Sequence, residues 1–241
     1  MYPGLKANAI QMAGTFHSPG QFKINKIKLY LLSDDISFPS VETADEQGFL
    51  AIGGDLSSER LLEAYRNGIF PWYNEGDPIC WWSPDPRCVL FPAQLHVSKS
   101  MEQLIRNNKF NFTINQAFES VMRGCQTITR KGEHGTWIQE EMIEAYCRLH
   151  QLGYACSGEA WYEGKLVGGM YGIRIGKIFF GESMFSSMPN ASKFAFIKFV
   201  QQLQVEDLRL IDCQMRTDHL VSLGATMIAR KEFIKILKEY I

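Results

Sequence analysis

Residues 155–185 read ACSGEAWYEGKLVGGMYGIRIGKIFFGESMF and carry the clearest structural pattern in the chain. Three runs rich in β-branched and aromatic residues are separated by Glu163-Gly164 and by Ile175-Gly176. Both pairs favour tight hairpin turns. The stretch therefore predicts a three-stranded meander.

Helices and single strands flank this meander on both sides. Before it, the sequence predicts a short strand in RCVLFP, a helix from Ser98 to about Asn107, a strand in FNFTIN and two further helices, the second starting near Gln139. After it come a helix capped by Asn190, a buried strand in LRLIDCQ and a short amphipathic helix in RKEFIKILKEYI. This order is typical of the GNAT-like acyl-CoA N-acyltransferase fold, an α+β fold whose ligand sits where the central strands splay apart.

The chain before this fold has a different character. Residues 26–86 predict a small N-terminal domain, mostly helical and acidic, in which Ser57 or Ser58 caps a helix that Gly68 ends. Residues 69–87, IFPWYNEGDPICWWSPDPR, are so rich in proline that we expect no regular structure through Pro86. We expect residues 1–25 to form a loose leader, and residues 87–241 to form the GNAT-like domain.

Composition excludes several classes of protein. The chain is 46% hydrophobic and 21% charged, which is too apolar for disorder. No window approaches 18 consecutive apolar residues, and the N-terminus lacks an apolar core of signal-peptide length. The six cysteines form no C-x-x-C pair, so we expect reduced thiols in a cytoplasmic protein.

Charge and histidine placement limit the ligands. The five histidines are scattered without zinc spacing, so we expect no metal. A net charge of −1 argues against a generic nucleic-acid coat. Basic residues nevertheless collect in residues 98–132, where they predict either a phosphate-facing patch or solvated surface charge: Lys99, Arg106, Lys109, Arg123, Arg130 and Lys131.

Three polar residues interrupt apolar strands. Glu182 closes the near-continuous apolar run KIFF, and an unpaired buried carboxylate is unfavourable there. Strand alternation sends Asp212 and Gln214 to one face, which suits removal of a proton from an amine. Each observation also fits a partnered structural residue.

Apolar residues at helical spacing allow two interpretations. Phe196, Phe199 and Leu203 predict a core face, or a pocket for a bulky apolar side chain if they lie near Met170 and Met184. The preceding loop, SSMPNAS, has no glycine. Loops that cradle the pyrophosphate of CoA in this fold are glycine-rich, so the loop disfavours CoA.

Six motifs in register carry a family resemblance from about Gly48 to Ala225. They are FPWYNEGDPICWWSPDPR, GTWI, LVGGMYG, GESMFS, NASK and LIDCQ. Together they resemble those of the leucyl/phenylalanyl-tRNA–protein transferases. The resemblance implies a monomer without a cofactor that transfers Leu or Phe, and Met less well, from aminoacyl-tRNA to proteins beginning with Arg or Lys. That transfer marks the acceptors for degradation by the N-end rule pathway.

The resemblance also implies residue roles. Asp212 and Gln214 match the pair that handles the attacking amine, and Glu182 matches the carboxylate of the GES motif. Trp72 and Trp137 match aromatic residues beside the 3′-terminal adenosine of tRNA, so residues 69–87 are expected to form a stiff aromatic wall. The expected Leu/Phe side-chain pocket contains Met170, Phe179, Met184, Phe196, Phe199 and Ile211.

Two other functions fit parts of the sequence. A CoA-dependent N-acyltransferase shares the fold, but the glycine-free loop argues against it. A non-catalytic RNA-binding module would explain the tryptophans and the basic segment, but not Asp212 beside Gln214.

Overall fold

The computed structural model describes residues 20–24, 27–127 and 138–241, which form two β-sheets. The first sheet has the order β1-β2-β3-β5-β4. Its strands are β1 (Gly20–Ile24), β2 (Ile27–Leu32), β3 (Phe49–Gly53), β4 (Phe70–Pro71) and β5 (Cys80–Trp82).

The second sheet has seven strands in the order β12-β6-β11-β10-β9-β8-β7. They are β6 (Arg87–Leu90), β7 (Asn111–Ile114), β8 (Ala155–Tyr162), β9 (Lys165–Ile175), β10 (Ile178–Ser186), β11 (Leu210–Gln214) and β12 (Thr226–Ile228). Strands β8, β9 and β10 pair antiparallel as the predicted meander. The second hairpin turns at Gly176-Lys177, one residue later than predicted, because Gly176 takes the left-handed conformation with φ 55°.

The α-helices lie close to their predicted positions. They are α1 (Ser58–Arg66), α2 (Lys99–Arg106), α3 (Phe118–Thr127), α4 (Glu140–Gln151), α5 (Ala191–Val205), α6 (Asp218–Ser222) and α7 (Arg230–Tyr240). Ser57 caps α1, since its hydroxyl accepts a hydrogen bond from the Arg60 N–H. None of these described helices combines the length and apolar character needed to cross a bilayer.

The prediction that residues 26–86 are mostly helical is wrong. This segment contributes strands β2 to β5, beside the single α-helix α1 and a short 3₁₀ turn at Val41–Thr43. The proline-rich stretch also contains two of these strands. Pro71 is tolerated because β4 lies at the sheet edge, where a missing N–H breaks no ladder.

Part of the segment expected to be a loose leader is also a strand. Gly20–Ile24 pairs antiparallel with Ile27–Leu32. The alternating residues of QFKI and IKLYL are typical of such a ribbon, although the sequence prediction did not include it. Residues 1–19 lie outside the described residues.

Two hydrophobic clusters lie on opposite faces of the second sheet. One contains residues of α5 such as Phe199 with Phe179 of β10. The other contains residues of the first sheet, α1, α3, α4 and α7, together with Phe180 and Leu210. The sheet is therefore covered on both faces, as a layered α+β architecture requires.

The strands β10 and β11 separate at the centre of this sheet. They run parallel, and their ladder ends at Phe180 opposite Asp212. Just beyond that point β10 has a bulge against β9, between Gly181 and Ser183. Strand β11 has a bulge against β6, between Asp212 and Gln214. Bulges bend a strand and re-aim its side chains. An opening consequently forms between the two strands.

Gly172 on β9 should tolerate no side chain. A Cβ added there would lie 2.1 Å from the Phe180 carbonyl oxygen, whereas a Cβ on its partner Gly181 would meet Asp212 O at an ordinary 3.5 Å. Urea unfolding should therefore show a loss of about 1–3 kcal/mol or more for Gly172→Ala, because backbone atoms must move. Gly181→Ala is the matched control. Equal stability of the two variants would contradict the tight strand packing.

Candidate active site

The opening between β10 and β11 leads into a cleft of about 450 Å³. One wall comes from the first sheet, through Phe70, Pro71 and Trp72. The floor comes from residues 181–184 of β10 and from Ile211, Cys213 and Gln214 of β11. The cleft thus lies where two sheets meet and where parallel strands diverge, a common position for ligand sites.

Glu182 is the acidic residue on the cleft floor. It is the extra residue of the β10 bulge and is half-buried. Its Oε1 accepts hydrogen bonds from the Tyr65 hydroxyl at 2.7 Å and from the Gln214 amide at 2.8 Å, and its Oε2 accepts one from the Tyr146 hydroxyl at 3.3 Å. All three donors are neutral.

No described ion pair of the chain includes Glu182. Burial raises the pKa of its carboxyl group to about 7, and the hydrogen bond from Tyr65 only partly opposes this rise. The nearby charge of Asp212 raises the pKa further. Glu182 is therefore a proton acceptor that titrates near neutrality.

Two buried tyrosines support this carboxylate. Tyr65 lies on α1 and Tyr146 on α4, and both are 0% exposed. Their hydroxyls are also hydrogen-bonded to each other, so Tyr146 shares its one proton between Glu182 and the Tyr65 oxygen while Tyr65 donates to Glu182. Burial, followed by the neighbouring Glu182 charge, raises the pKa of both hydroxyls well above the usual range. They therefore remain protonated donors and fix the carboxylate in place.

Asp212 does not face the cleft as the strand alternation suggested. It is 0% exposed, and its two oxygens are held by Arg87, with Nε to Oδ1 at 2.8 Å and Nη2 to Oδ2 at 2.6 Å. Arg87 is equally buried on β6, the strand next to β11. A charged carboxylate buried inside a sheet requires such a partner. The guanidinium group of Arg87 therefore holds the Asp212 carboxylate below the cleft surface.

Gln214 does line the cleft. The bulge between Asp212 and Gln214 gives Gln214 a left-handed φ of 59°, and Asp212 Oδ1 accepts its backbone N–H at 2.9 Å. Its side-chain amide then donates to Glu182. The structure thus brings all three polar candidates together, with Glu182 and Gln214 at the surface and Asp212 behind them.

The apolar candidates divide into two groups. Met170, Met184, Phe196 and Ile211 line the cleft. Phe179 and Phe199 do not: both are 0% exposed and pack on each other with ring centroids 4.8 Å apart. They form the layer behind the pocket wall. Helical spacing alone could not separate the two layers.

The tryptophans of residues 69–87 also divide. Trp72 is half-buried and lines the cleft. Trp81 and Trp82 are buried on β5, where their indole N–H groups donate to Gly53 O and to Trp72 O. The expected wall therefore presents one of the three rings to the cleft. Trp137 lies outside the described residues.

Sequence analysis missed Arg87, Tyr65 and Tyr146. An aspartate inside an apolar strand requires a buried cation, and Arg87 begins the nearby predicted strand RCVLFP, so that signal was available. The tyrosines carried no local signal, because Tyr65 is 117 residues from Glu182 in the sequence.

The start of α5 leaves little room for a pyrophosphate. A Cβ on Gly168 of β9 would lie 2.6 Å from Ala191 Cβ, so helix and strand are in close contact. The Ser186 hydroxyl also accepts a hydrogen bond from the Ser192 N–H. In the part of the chain that is described, no three His, Cys, Asp or Glu side chains are grouped as metal ligands would be.

Comparison with known proteins gives two family matches. A family model for leucyl/phenylalanyl-tRNA protein transferase matches residues 89–238, and the model of that family's N-terminal domain matches residues 54–85. The leucyl/phenylalanyl-tRNA–protein transferase of Flavobacterium johnsoniae is 54% identical over 210 residues, covering 87% of this chain and 99% of the relative. That of Anaeromyxobacter sp. is 54% identical over 206 residues, covering 86% and 88%.

Solved structures are more distant. A GCN5-related N-acetyltransferase from Kribbella flavida has a TM-score of 0.37 at 12% identity, covering 70% of this chain and 60% of that one. Such a remote likeness carries no argument about activity. The predicted fold class, a small N-terminal domain before a GNAT-like domain, is confirmed by the N-terminal family match together with the splayed strands β10 and β11.

The family matches cover both parts of the chain, and the relatives match over nearly their whole length. They favour aminoacyl transfer over a CoA-dependent reaction and over a purely RNA-binding role. The chain belongs to the leucyl/phenylalanyl-tRNA–protein transferase family and is an aminoacyltransferase that moves an aminoacyl group from tRNA to protein.

Proposed function

We propose that this enzyme transfers Leu or Phe, and Met less well, from aminoacyl-tRNA to the N-terminal Arg or Lys of acceptor proteins. The transfer would mark those proteins for degradation. The observation that supports this most is Glu182, a carboxylate with three neutral donors and no described ion pair, at the junction of an apolar wall and the open cleft. Such a group suits a cationic amine.

The donor's side chain would lie against the apolar wall of the cleft. Met170, Met184, Phe196 and Ile211 supply aliphatic and aromatic surface without a charged group. Methionine is unbranched and adapts to different shapes, so one pocket could accept Leu, Phe and Met. Phe179 and Phe199 would support this wall from behind.

The donor's terminal adenosine would stack on Trp72. This ring packs on Trp82 with centroids 5.6 Å apart, and its backbone carbonyl accepts the Trp82 indole N–H. A ring held in this way loses little entropy on binding, and stacking of a base contributes roughly 1–3 kcal/mol. By family resemblance, Trp137 is the proposed second aromatic contact.

The acceptor would bring an α-ammonium group and a cationic side chain into the cleft. Two positive charges in a partly desolvated site require negative charge nearby. Glu182 supplies it at the surface, and Gln214 supplies a neutral amide beside it. Asp212 contributes from below by fixing Gln214 rather than as the base, since both of its oxygens are already occupied.

Transfer would then be the aminolysis of an ester. The α-amine has a pKa near 7.7–8.0, close to the value of about 7 for Glu182, so the proton moves readily from the ammonium group to the carboxylate. The neutral amine attacks the aminoacyl carbonyl and forms an amide bond. The ester C–O bond breaks, and the 3′-oxygen of tRNA leaves as a hydroxyl group after taking the proton that the amine gives up. Because the ester is already activated, positioning supplies much of the rate.

A transfer assay tests this function. Purified protein should move labelled Leu and Phe from their tRNAs to a peptide beginning with Arg or Lys, and should leave the same peptide unchanged when its N-terminus is acetylated. Transfer to the acetylated peptide would exclude the α-amine as the acceptor. No transfer to either peptide would exclude the proposed acceptor class.

Binding of aminoacyl-tRNA should weaken as salt rises, because phosphate contacts release counterions. Lys99 and Arg106 lie on α2, where Arg106 is 70% exposed. Replacing both with Glu should lower the slope of log affinity against log salt by about 2, roughly one for each lost phosphate contact. Arg106 makes only a 3.9 Å contact with Glu102, whereas Arg123 is held by Glu119 at 2.8 Å and Glu140 at 3.2 Å, so Arg123→Glu serves as the comparison. An unchanged slope for the double variant would place the tRNA elsewhere.

We extend the proposal to a monomeric enzyme of the cytoplasm. All six cysteines are free, which suits a reducing compartment. Size-exclusion chromatography with light scattering tests the monomer, and a dimer mass would contradict it.

A further inference from the structure

Arg87 lies where the first sheet, the second sheet and the C-terminal helix meet. It is the first residue of β6 and is 0% exposed. Its guanidinium carbon lies 4.8 Å from the ring centre of Phe70, which lines the cleft, and 4.7 Å from that of Phe233 on α7. Two aromatic faces therefore hold the guanidinium group from separate elements.

Stability alone does not explain the ion pair of Arg87 with Asp212. Buried ion pairs are often no more stabilising than apolar residues of the same volume, because both charges lose their water. In addition, Arg87 Nη1 is buried without a hydrogen-bond partner among the described residues, which adds a desolvation penalty. Arg60, away from the cleft, has an unpartnered buried Nε as well, so the function of the ion pair follows from what it holds in place and not from this penalty.

The pair instead determines the backbone at the cleft. Arg87 orients Asp212 through two hydrogen bonds, and Asp212 Oδ1 also accepts the Gln214 N–H at 2.9 Å. A left-handed conformation is unfavourable for a residue other than glycine, so Gln214 requires such a constraint. From this position its side-chain amide reaches Glu182 at 2.8 Å.

We propose that Arg87 is a positioning residue for aminoacyl transfer, which acts through Asp212 to hold Gln214 in the conformation that places its amide on Glu182. This inference rests on the proposed roles of Gln214 and Glu182 at the acceptor amine. Arg87 does not touch the substrate, so its loss should change turnover more than binding.

A double-mutant cycle tests this coupling. Arg87→Met keeps an unbranched side chain but removes the guanidinium group, and should lower kcat about 100-fold while KM for aminoacyl-tRNA stays within about threefold. In an Asp212→Asn background, adding Arg87→Met should lower kcat further by less than about threefold. The reason is that Arg87 acts through the Asp212 carboxylate, which this background already lacks. Rates are normalised to folded protein by thermal unfolding.

Arg60→Met is the matched control. Arg60 is equally buried, but its guanidinium group binds Ser33 O, Asp35 O and Asp55 away from the cleft. This variant should lose stability and keep its kcat. If Arg87→Met does not fold, Arg87→Lys keeps the charge without the two-point geometry, and should still lower kcat about tenfold.

Several results would overturn the inference. One is a wild-type kcat in a folded Arg87→Met or Arg87→Lys variant. Another is a fall in kcat on Arg87→Met that is equally large in the wild-type and Asp212→Asn backgrounds. A third is a fall in kcat of the same size in Arg60→Met. If Glu182→Gln blocks transfer while Arg87→Met does not, only the role of Arg87 fails. If the wild-type protein transfers nothing to Arg- or Lys-initiated peptides, the proposed function itself fails.

Discussion

Glu182→Gln is expected to lower kcat/KM for transfer about 1000-fold, in the middle of the range for loss of a general base. The amide keeps the shape of the side chain but cannot accept a proton. In the wild-type protein, kcat/KM should rise with pH through about 7, where Glu182 loses its own proton. The variant should lack this rise and should increase only at higher pH, with the pKa of the acceptor amine near 7.7–8.0. Steady-state transfer rates between pH 5.5 and 8.5 provide the measurement.

The same substitution should raise the stability of the protein at pH 8, although it lowers the rate of transfer. Burial raises the pKa of Glu182 from 4.5 to about 7, so the folded protein holds a proton that the unfolded chain releases. Stability is therefore lost as the pH rises from about 4.5 to about 7. Because a neutral amide at this position carries no such penalty, Glu182→Gln should unfold at a higher temperature than wild type at pH 8. The rise from 4.5 to about 7 corresponds to about 3 kcal/mol, and solvent screening of this half-buried group reduces the expected gain in unfolding free energy to roughly 2 kcal/mol.

Glu159→Gln is the control for both measurements. Glu159 is also buried among neutral donors, the hydroxyls of Thr113 and Ser157 and the N–H of Ala117, but it does not line the cleft. Its loss should alter stability without altering the pH profile of transfer. A flat wild-type profile, or the same profile in Glu182→Gln, would remove Glu182 from the chemistry.

Phe196→Ala is expected to raise KM for Leu- and Phe-tRNA about 30-fold, which corresponds to about 2 kcal/mol of lost apolar contact. Phe196 lines the cleft, whereas Phe199, one helical turn later, packs on Phe179 behind it. Phe199→Ala should destabilise the protein by about 3–5 kcal/mol yet change KM by only a few-fold. Donor kinetics per folded enzyme, with thermal unfolding of both variants, separate the two effects.

The reverse pattern would contradict this assignment of the pocket. If Phe199→Ala raises KM and Phe196→Ala does not, the donor side chain binds on the other side of α5. An equal rise in KM in both variants would mean that KM depends on general loosening of α5 rather than on direct contact with the donor side chain.

Local patterns in the sequence predicted most elements of the second sheet. The meander and the buried strand of β11 follow from strong alternation and apolar runs, and Ser57 and Ser98 mark the starts of α1 and α2 by hydrogen-bonding their first turns. The first sheet was not predicted, because β4 and β5 have only two and three residues and the longer β1–β2 ribbon lies partly in the segment interpreted as a loose leader. Short strands carry too few residues for a period of two to be recognised.

The sequence singled out Glu182, Asp212 and Gln214 as candidates, but it did not predict how far each lies below the cleft surface. Alternation predicted Asp212 and Gln214 on one face, but a bulge between them and an arginine 125 residues away placed Asp212 below the surface and Gln214 on it. Neither a bulge nor a contact between distant residues leaves a local pattern. The same reason hid the tyrosine pair, whose members are 81 residues apart.

The most direct test is a crystal structure of the enzyme with phenylalanyl-adenosine in which an amide replaces the ester. The phenylalanyl ring should contact Phe196 and Ile211, and the adenine should stack on Trp72. The amide carbonyl carbon should lie beside the Glu182–Gln214 pair, leaving room for an amine at about 3–3.5 Å. An aminoacyl group bound with its carbonyl away from Glu182, or an adenosine outside the cleft, would contradict the proposed site of transfer.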